Sequence, residues 1–246
     1  GFLGFFTLWK YWRHRTDEFP LPPADRDTLP PVTVQLPVYN EREVIQRLID
    51  AVCALEYPPE RLEIQVLDDS TDDTAQIAAD IVSCYAAQGV DIVLIHRAAR
   101  HGFKAGALAY GLESARGELL AIFDADFVPE PDFLLHTVPY LMENQNLGAV
   151  QARWGHLNDG SYLTGAQAIA LDKHFVVEQL IRHRADYFPK FNGAAGVWRK
   201  SAVVDSGGWQ ADTVCEDLCL STRAVLRGWR LHFANDVVAP AELPAT

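Results

Sequence analysis

A chain of 246 residues, 49% hydrophobic and 22% charged, is long enough to bury a sizeable core as one large or two small domains, so neither disorder nor repeats are needed to account for it. Its formal net charge of −12 argues against a nucleic-acid surface, because phosphate binding draws on clustered Lys and Arg. Any phosphate held by so acidic a chain calls for a metal ion or helix amino ends. Residues 1–12 are apolar and aromatic and run into Arg13-His14-Arg15. That run is shorter than the about 20 residues that cross a bilayer. With aromatics and positive charge gathered at its end, the segment 1–15 reads as the tail of a transmembrane helix leaving on the cytoplasmic side. A buried amphipathic helix is the alternative; a signal peptide is not expected, since the charge follows the apolar stretch. Residues 16–31 are Pro-rich and read as an extended linker.

From Val32 onward, strands alternate with helices. Val32 to Leu36 is β-branched and apolar, residues 43–55 repeat Val44, Leu48, Ile49 and Val52 at helical spacing, and Ile64 to Leu67 is a strand again. A helix over 72–88, a strand over 91–95, a helix over about 104–115, a strand over 119–123, a helix over 131–144 and a strand over 148–151 follow. This rhythm predicts an α/β domain, a mainly parallel sheet with helices on both faces. Ligands of such sheets lie beyond the carboxyl ends of the strands.

The polar motifs fall at those ends. Strand one runs into Pro37-Val38-Tyr39-Asn40-Glu41, strand two into Asp68-Asp69-Ser70-Thr71-Asp72, and strand four into Asp124-Ala125-Asp126. A bare Asp-x-Asp is otherwise a solvated turn, and Asp72 or Ser70 also suits a helix cap. Capping cannot absorb all of these acids, and two carboxylates one residue apart invite a cation. His101-Gly102-Phe103-Lys104-Ala105-Gly106-Ala107 adds a glycine turn, a lysine and a helix start, which together make an anion site; alone, Lys104 would be a surface residue. The four cysteines Cys53, Cys84, Cys215 and Cys219 lack paired metal spacing and read as reduced thiols, with a disulfide the alternative. Asp172, His174 and Glu178 on the helix around 163–184 alternate with apolar residues like one wet face, so they are set aside as metal ligands.

These motifs, with Val150-Gln151-Ala152-Arg153-Trp154, Phe191-Asn192-Gly193-Ala194-Ala195-Gly196-Val197-Trp198-Arg199 and Glu216-Asp217-Leu218, occur in the order seen in family 2 glycosyltransferases. The chain resembles the cellulose synthase-like and glucomannan (mannan) synthase-like branch from about residue 32 to its end. The resemblance implies a Rossmann-like glycosyltransferase A fold acting with inversion. It implies that Asp68 and Asp69 contact base and ribose, with Pro37, Tyr39, Glu41, Lys104 and Asp124 also on the nucleotide sugar. It implies that Asp124 and Asp126 hold Mg²⁺ or Mn²⁺, and that Asp217 is the general base. The family's Thr-Glu-Asp motif reads Cys215-Glu216-Asp217 here; the departure spares the proton acceptor.

Chemistry supports the same roles independently. Displacing a nucleoside diphosphate from an anomeric carbon builds charge on the leaving phosphate, which a hard cation on carboxylates stabilises, and the acceptor hydroxyl needs one carboxylate base. Asp217 suits that role, although a first-turn acid is also favoured by the helix dipole. Asn192, Gly193, Trp209 and Glu216 are the candidate acceptor contacts; the glycine-rich turn would admit a close-fitting sugar or be a tight turn only, and Trp154, Trp198 and Trp209 could stack on sugar rings or fill the core.

The Gln-x-x-Arg-Trp motif of processive relatives does not occur before Glu242-Leu243-Pro244-Ala245-Thr246, a stretch that in relatives leads into the helix carrying it. The expectation is therefore a cytosolic catalytic domain, 32–246, of a longer membrane protein. Its donor would be UDP-glucose or GDP-mannose and its acceptor a growing β-linked polysaccharide. A lipid acceptor of the ceramide type, or a non-catalytic nucleotide-sugar-binding module, are the alternatives.

Overall fold

The computed structural model describes residues 26–244 apart from 186 and 214, together with residues 9, 12 and 13. The membrane-helix and linker readings of residues 1–31 fall mostly outside the described residues. Among those described, no helix is long and apolar enough to cross a membrane.

Strands β1 (Val32–Val38), β2 (Leu62–Asp68), β3 (Ile92–His96) and β4 (Leu119–Ile122) are separated by helices α1 (Ile45–Cys53), α2 (Thr74–Ala87) and α3 (Phe103–Ser114). Helix α4 (Phe133–Glu143) leads to β5 (Leu147–His156); α5 (Tyr162–Asp172), a π-helical segment (Lys173–Gln179) and α6 (Leu180–Arg184) form one rod. Strand β6 (Gly196–Arg199), α7 (Lys200–Asp205), α8 (Glu216–Leu226) and β7 (Arg230–Ala241) complete the chain. The seven-stranded sheet has the order β3-β2-β1-β4-β6-β5-β7.

Alternation along the strands sorts side chains between two cores. On β4, Leu119 and Ala121, followed by Phe123, enter the cluster that contains Ile45 and Leu48 of α1 and Phe133 of α4. Leu120 and Ile122 enter the cluster that contains Leu108 of α3, Ala202 of α7 and Leu220 of α8. A central strand is therefore apolar at every position, because helices cover both faces. Phe123, fully buried, meets Phe133 edge-on at 4.9 Å between ring centroids. Phe123→Ala is expected to cost about 3–5 kcal/mol, lowering Tm by about 10 °C. A calorimetric melt that shifts by less than about 2 °C would remove Phe123 from the load of the core.

Two topological facts place the site. Strands β1 to β3 step outward on one side of β1, whereas β4 pairs on the other side, so the chain reverses its direction of travel between β1 and β4. Such a switch point leaves a crevice at the carboxyl ends of the two strands. Strand β6 is antiparallel to both β4 and β5. Its amino end, entered through residues 191–195, therefore arrives at the edge where its neighbours have carboxyl ends. Gly193 (φ +85°) and Ala195 (φ +53°) take left-handed backbone in this reversal, which glycine tolerates without strain. Sequence patterning does not mark β6, α7 or β7, and the rod expected over 163–184 is interrupted by its π segment.

Candidate active site

A cleft of about 760 Å³ opens over the carboxyl ends of β1, β2 and β4, and Pro37, Tyr39, Glu41, Asp69, Lys104, Asp124 and Asp126 all line it. Asp68 does not. It is fully buried; its Oδ1 accepts the Ser70 N–H at 3.0 Å and its Oδ2 lies 2.7 Å from His96 Nδ1, so it stands behind the cleft and shapes the turn. Asp72 Oδ1 accepts the N–H of Thr74, the first residue of α2, at 3.0 Å, while the N-cap position itself is Asp73, which makes no side-chain cap.

Asp69 is positioned by a residue that sequence reading missed. Arg97, just past β3, donates from Nε to Asp69 Oδ1 at 2.7 Å and from Nη2 to Asp69 Oδ2 at 2.5 Å. The same guanidinium donates to the carbonyls of His101 and Phe103, both at 3.1 Å. A planar, always charged fork is the one side chain that can hold a carboxylate with two bonds and still bind a loop. The loop is tightly wound: Gly102 and Phe103 have φ of +73° and +50°, and a Cβ on Gly102 would lie 2.9 Å from that of Ala211. Arg100, also missed, sits over the Tyr39 ring on the cleft wall, its Cζ 3.4 Å from the ring centroid. Both arginines lie within eight residues of Lys104, and only the fold shows which way each turns.

Lys104, in the first turn of α3, donates to Asp124 Oδ1 at 2.5 Å and to the Gly193 carbonyl at 3.0 Å. It thus joins the Asp124 side of the cleft to the loop before β6. Lys104 offsets only one of the two Asp-x-Asp charges. Burial, with Asp124 and then Glu41 nearby, pushes the Asp126 carboxyl up to about 6. Burial first, then Asp124 and Asp72, raises Glu41 also. Among the described residues no group of three or more His, Cys, Asp or Glu side chains could hold a metal by itself. The crowded, partly desolvated carboxylates of Asp124 and Asp126 fit a cation whose remaining oxygen ligands come from elsewhere. Glu242 closes this end: its N–H donates to the Asp126 carbonyl at 3.0 Å and its Oε1 accepts from Arg47 Nη1 at 2.6 Å.

On the other side, Asp217 sits in the first turn of α8. The Ser221 hydroxyl donates to the Asp217 carbonyl at 2.7 Å and accepts the Phe191 N–H at 3.1 Å, which ties this turn to the loop before β6. Asp217 Oδ2 and Lys104 Nζ each lie 3.3 Å from the place a Cβ on Gly193 would take. A Cβ there would crowd both groups, and the left-handed backbone at φ +85° also favours glycine. The Asn192 N–H donates to Gln151 Oε1 at 2.7 Å, and buried Gln151 returns its Nε2 to the carbonyls of Ala194 and Ala195 at 3.0 and 3.1 Å. A glutamine inside the apolar run of β5 was the visible sign of this support. Glu216 is half-buried beside Asp217, and exposed Cys215 precedes α8 without a side-chain cap. Trp209 is buried, edge-on to the fully buried Trp198 at 6.4 Å, and Trp154 packs between Phe127 and Phe175 at 5.2 and 5.3 Å. The two buried indoles fill the core in this conformation. His156 pairs with Asp172 at 3.1 Å, and His174 with Glu178 at 3.3 Å.

Residues 30–246 match the family model described as Glycosyltransferase like family 2. Glucomannan 4-beta-mannosyltransferase 1 of Oryza sativa subsp. japonica is 45% identical over 242 residues, covering 95% of this chain and 46% of that protein. Glucomannan 4-beta-mannosyltransferase 2 of Arabidopsis thaliana is 43% identical over 248 residues, covering 96% of this chain and 46% of that protein. The chain thus spans less than half the length of these relatives. Among solved structures, the mannosyltransferase PcManGT from Pyrobaculum calidifontis in complex with GDP-Man and Mn²⁺ aligns with a TM-score of 0.78 at 26% identity, covering 98% of this chain and 65% of that one. TarS 1-349 of S. aureus in complex with UDP-GlcNAc, with a TM-score of 0.66 at 17% identity, shares the fold alone.

Proposed function

The chain belongs to the glycosyltransferase-like family 2, on its cellulose synthase-like, glucomannan mannosyltransferase branch, with the glycosyltransferase A fold, and we propose that it transfers a hexose with inversion from a nucleotide diphosphate sugar to a growing β-linked polysaccharide. GDP-mannose is the favoured donor over UDP-glucose, because the plant relatives are named mannosyltransferases and the aligned archaeal enzyme holds GDP-Man. The single observation that carries the reading is the convergence of Asp217 and Lys104 on Gly193, with Lys104 also paired to Asp124.

In the proposed reaction the acceptor hydroxyl attacks the anomeric carbon from the face opposite the diphosphate. Its proton passes to the Asp217 carboxylate as the new C–O bond forms. The bond from the anomeric carbon to the diphosphate oxygen breaks, and its electron pair leaves with the nucleoside diphosphate. Lys104 answers the charge that grows on that leaving group by moving its ammonium from Asp124 to the phosphate. Tyr39, Arg100 and Asp69 border the part of the cleft that takes the nucleoside. Asp124 and Asp126 would hold Mg²⁺ or Mn²⁺, which when bound neutralises the diphosphate.

Calorimetric titration with GDP-mannose and UDP-glucose, with Mn²⁺ or with chelator, tests this. One donor binding only with metal is the expected result; no binding of either by the full-length protein would end the reading. A pH dependence follows from Asp126. A proton and a cation compete for the same carboxylate, so metal-dependent donor affinity is expected to fall as pH drops below about 6, by up to about tenfold per unit. A Kd that stays flat from pH 5 to 7.5 would remove Asp126 from metal binding. We also place the domain on the cytoplasmic side of a membrane protein, on the strength of the aromatic-to-basic boundary within residues 1–15. Protease protection of this domain in inside-out vesicles would contradict that placement.

A further inference from the structure

The rod between β5 and β6 changes its winding where it faces the loop that carries Gly193. Residues five apart diverge by about 140° on an α-helix, whereas a π-helix, with its i to i+5 hydrogen bonds, brings them closer to one face. Lys173–Gln179 is π-helical, and both His174 and Gln179, five apart, reach Asn192.

The polar contacts there have one consistent set of hydrogen positions. Gln179 is fully buried; its Oε1 accepts the Lys190 N–H at 3.0 Å and its Nε2 donates to the Lys190 carbonyl at 2.6 Å. A backbone donor and acceptor side by side orient that amide, since a flip would set donor against donor. Gln179 Nε2 therefore also donates to Asn192 Oδ1, at 2.8 Å. The Asn192 amide nitrogen, which can only donate, is left facing His174 Nε2 at 2.7 Å. That ring nitrogen must present its lone pair, so the proton sits on Nδ1, which points to Glu178 Oε2 at 3.3 Å. Lys173 completes the group through a 3.5 Å contact with Glu178.

We propose that His174, as the neutral Nδ1–H imidazole, is a positioning residue of the transfer site: it holds the Asn192 side chain and thereby the Asn192–Gly193 backbone on which Lys104 and Asp217 converge. This rests on the acceptor-side reading given under Proposed function. His174 contacts neither the donor nor the reacting atoms; it acts through Asn192. The structure thus gives the His174–Glu178 pair a task that metal ligation does not supply.

Long-range ¹H–¹⁵N spectra of the protein at pH 7.5, with the His174 signals assigned by their loss in His174→Gln, read the tautomer directly. The Nδ1–H pattern is expected; an Nε2–H pattern or an imidazolium would overturn the proposal. In full-length protein, His174→Ala is expected to lower kcat at least tenfold, with donor Kd and Tm nearly unchanged. Gln can accept from Asn192 and donate to Glu178, so His174→Gln should recover most of the rate. An alanine variant within twofold of wild type, or equal losses in both variants with weakened donor binding, would overturn the positioning role. Wild-type protein that transfers no sugar would defeat the proposed function and this role with it, and that failure is told apart by appearing before any substitution is made.

Discussion

Asp217→Asn should leave donor binding within about twofold of wild type and lower kcat by about 10³-fold to 10⁴-fold, the upper range for loss of a positioned proton acceptor. The substitution keeps shape and hydrogen-bonding reach but removes the basic oxygen. Little else should change, because the backbone of Asp217 is held by Ser221, whose hydroxyl reaches its carbonyl at 2.7 Å. Its side chain accepts the Leu218 N–H at 2.6 Å through Oδ1, which leaves Oδ2 on the Gly193 side for an acceptor hydroxyl. Single-turnover kinetics alongside calorimetry separate the two quantities. A variant that keeps more than a tenth of wild-type kcat would mean that another group takes the proton. A variant that loses donor binding in proportion would mean that Asp217 supports the fold of the cleft rather than the chemistry.

Asp126→Asn should have opposite effects on two measurements. With Mn²⁺ present, donor affinity is expected to fall by about 100-fold, or about 2.7 kcal/mol, because the cation loses a carboxylate. Without metal and at pH 7.5, the same variant should be more stable than wild type by about 1–2 kcal/mol, with solvent screening at a partly exposed carboxyl allowed for. The sign follows from linkage. A carboxyl raised to about 6 in the folded chain, from about 3.9 unfolded, binds protons more tightly when folded, so it subtracts stability as pH rises through that interval. The gain of the variant should therefore be complete above pH 6 to 7 and vanish near pH 4. Metal-free melts at pH 4 and 7.5 check it. A variant less stable at pH 7.5 would show that Asp126 is satisfied within the protein and has no need of a cation.

Much of the frame of this molecule is written locally. The β-branched run at Val32, the helical spacing of Leu48, Ile49 and Val52, and the apolar strand at Leu119 each specify their element through side-chain periodicity alone. The alternation of these elements specifies a sheet covered on both faces, and so a site at the carboxyl ends, where Tyr39, Asp69 and Asp124 are found. Family motifs in fixed order carried the chemical reading further than any one of them could.

What the sequence alone could not decide depends on contacts between distant segments. Asp68 and Asp69 are adjacent, chemically identical and both buried, yet Asp68, the last residue of β2, turns to His96 whereas Asp69, just past the strand, turns to Arg97 and lines the cleft. The antiparallel course of β6 is set by its pairing with β4 and β5, and it alone carries Asn192 and Gly193 to the Asp217 side. Trp209, legible only as a large aromatic, is buried against Trp198 because α7, α8 and β6 close around it. The π winding of Lys173–Gln179 is likewise a tertiary outcome: nothing in the spacing of its apolar residues calls for it, whereas the partners His174 and Gln179 share in Asn192 become reachable only with it. Composition and periodicity thus determine which residues lie on strands, helices and turns. Which of the many acids, amides and aromatics meet is decided by packing, since that depends on the direction and register of elements far apart in the chain.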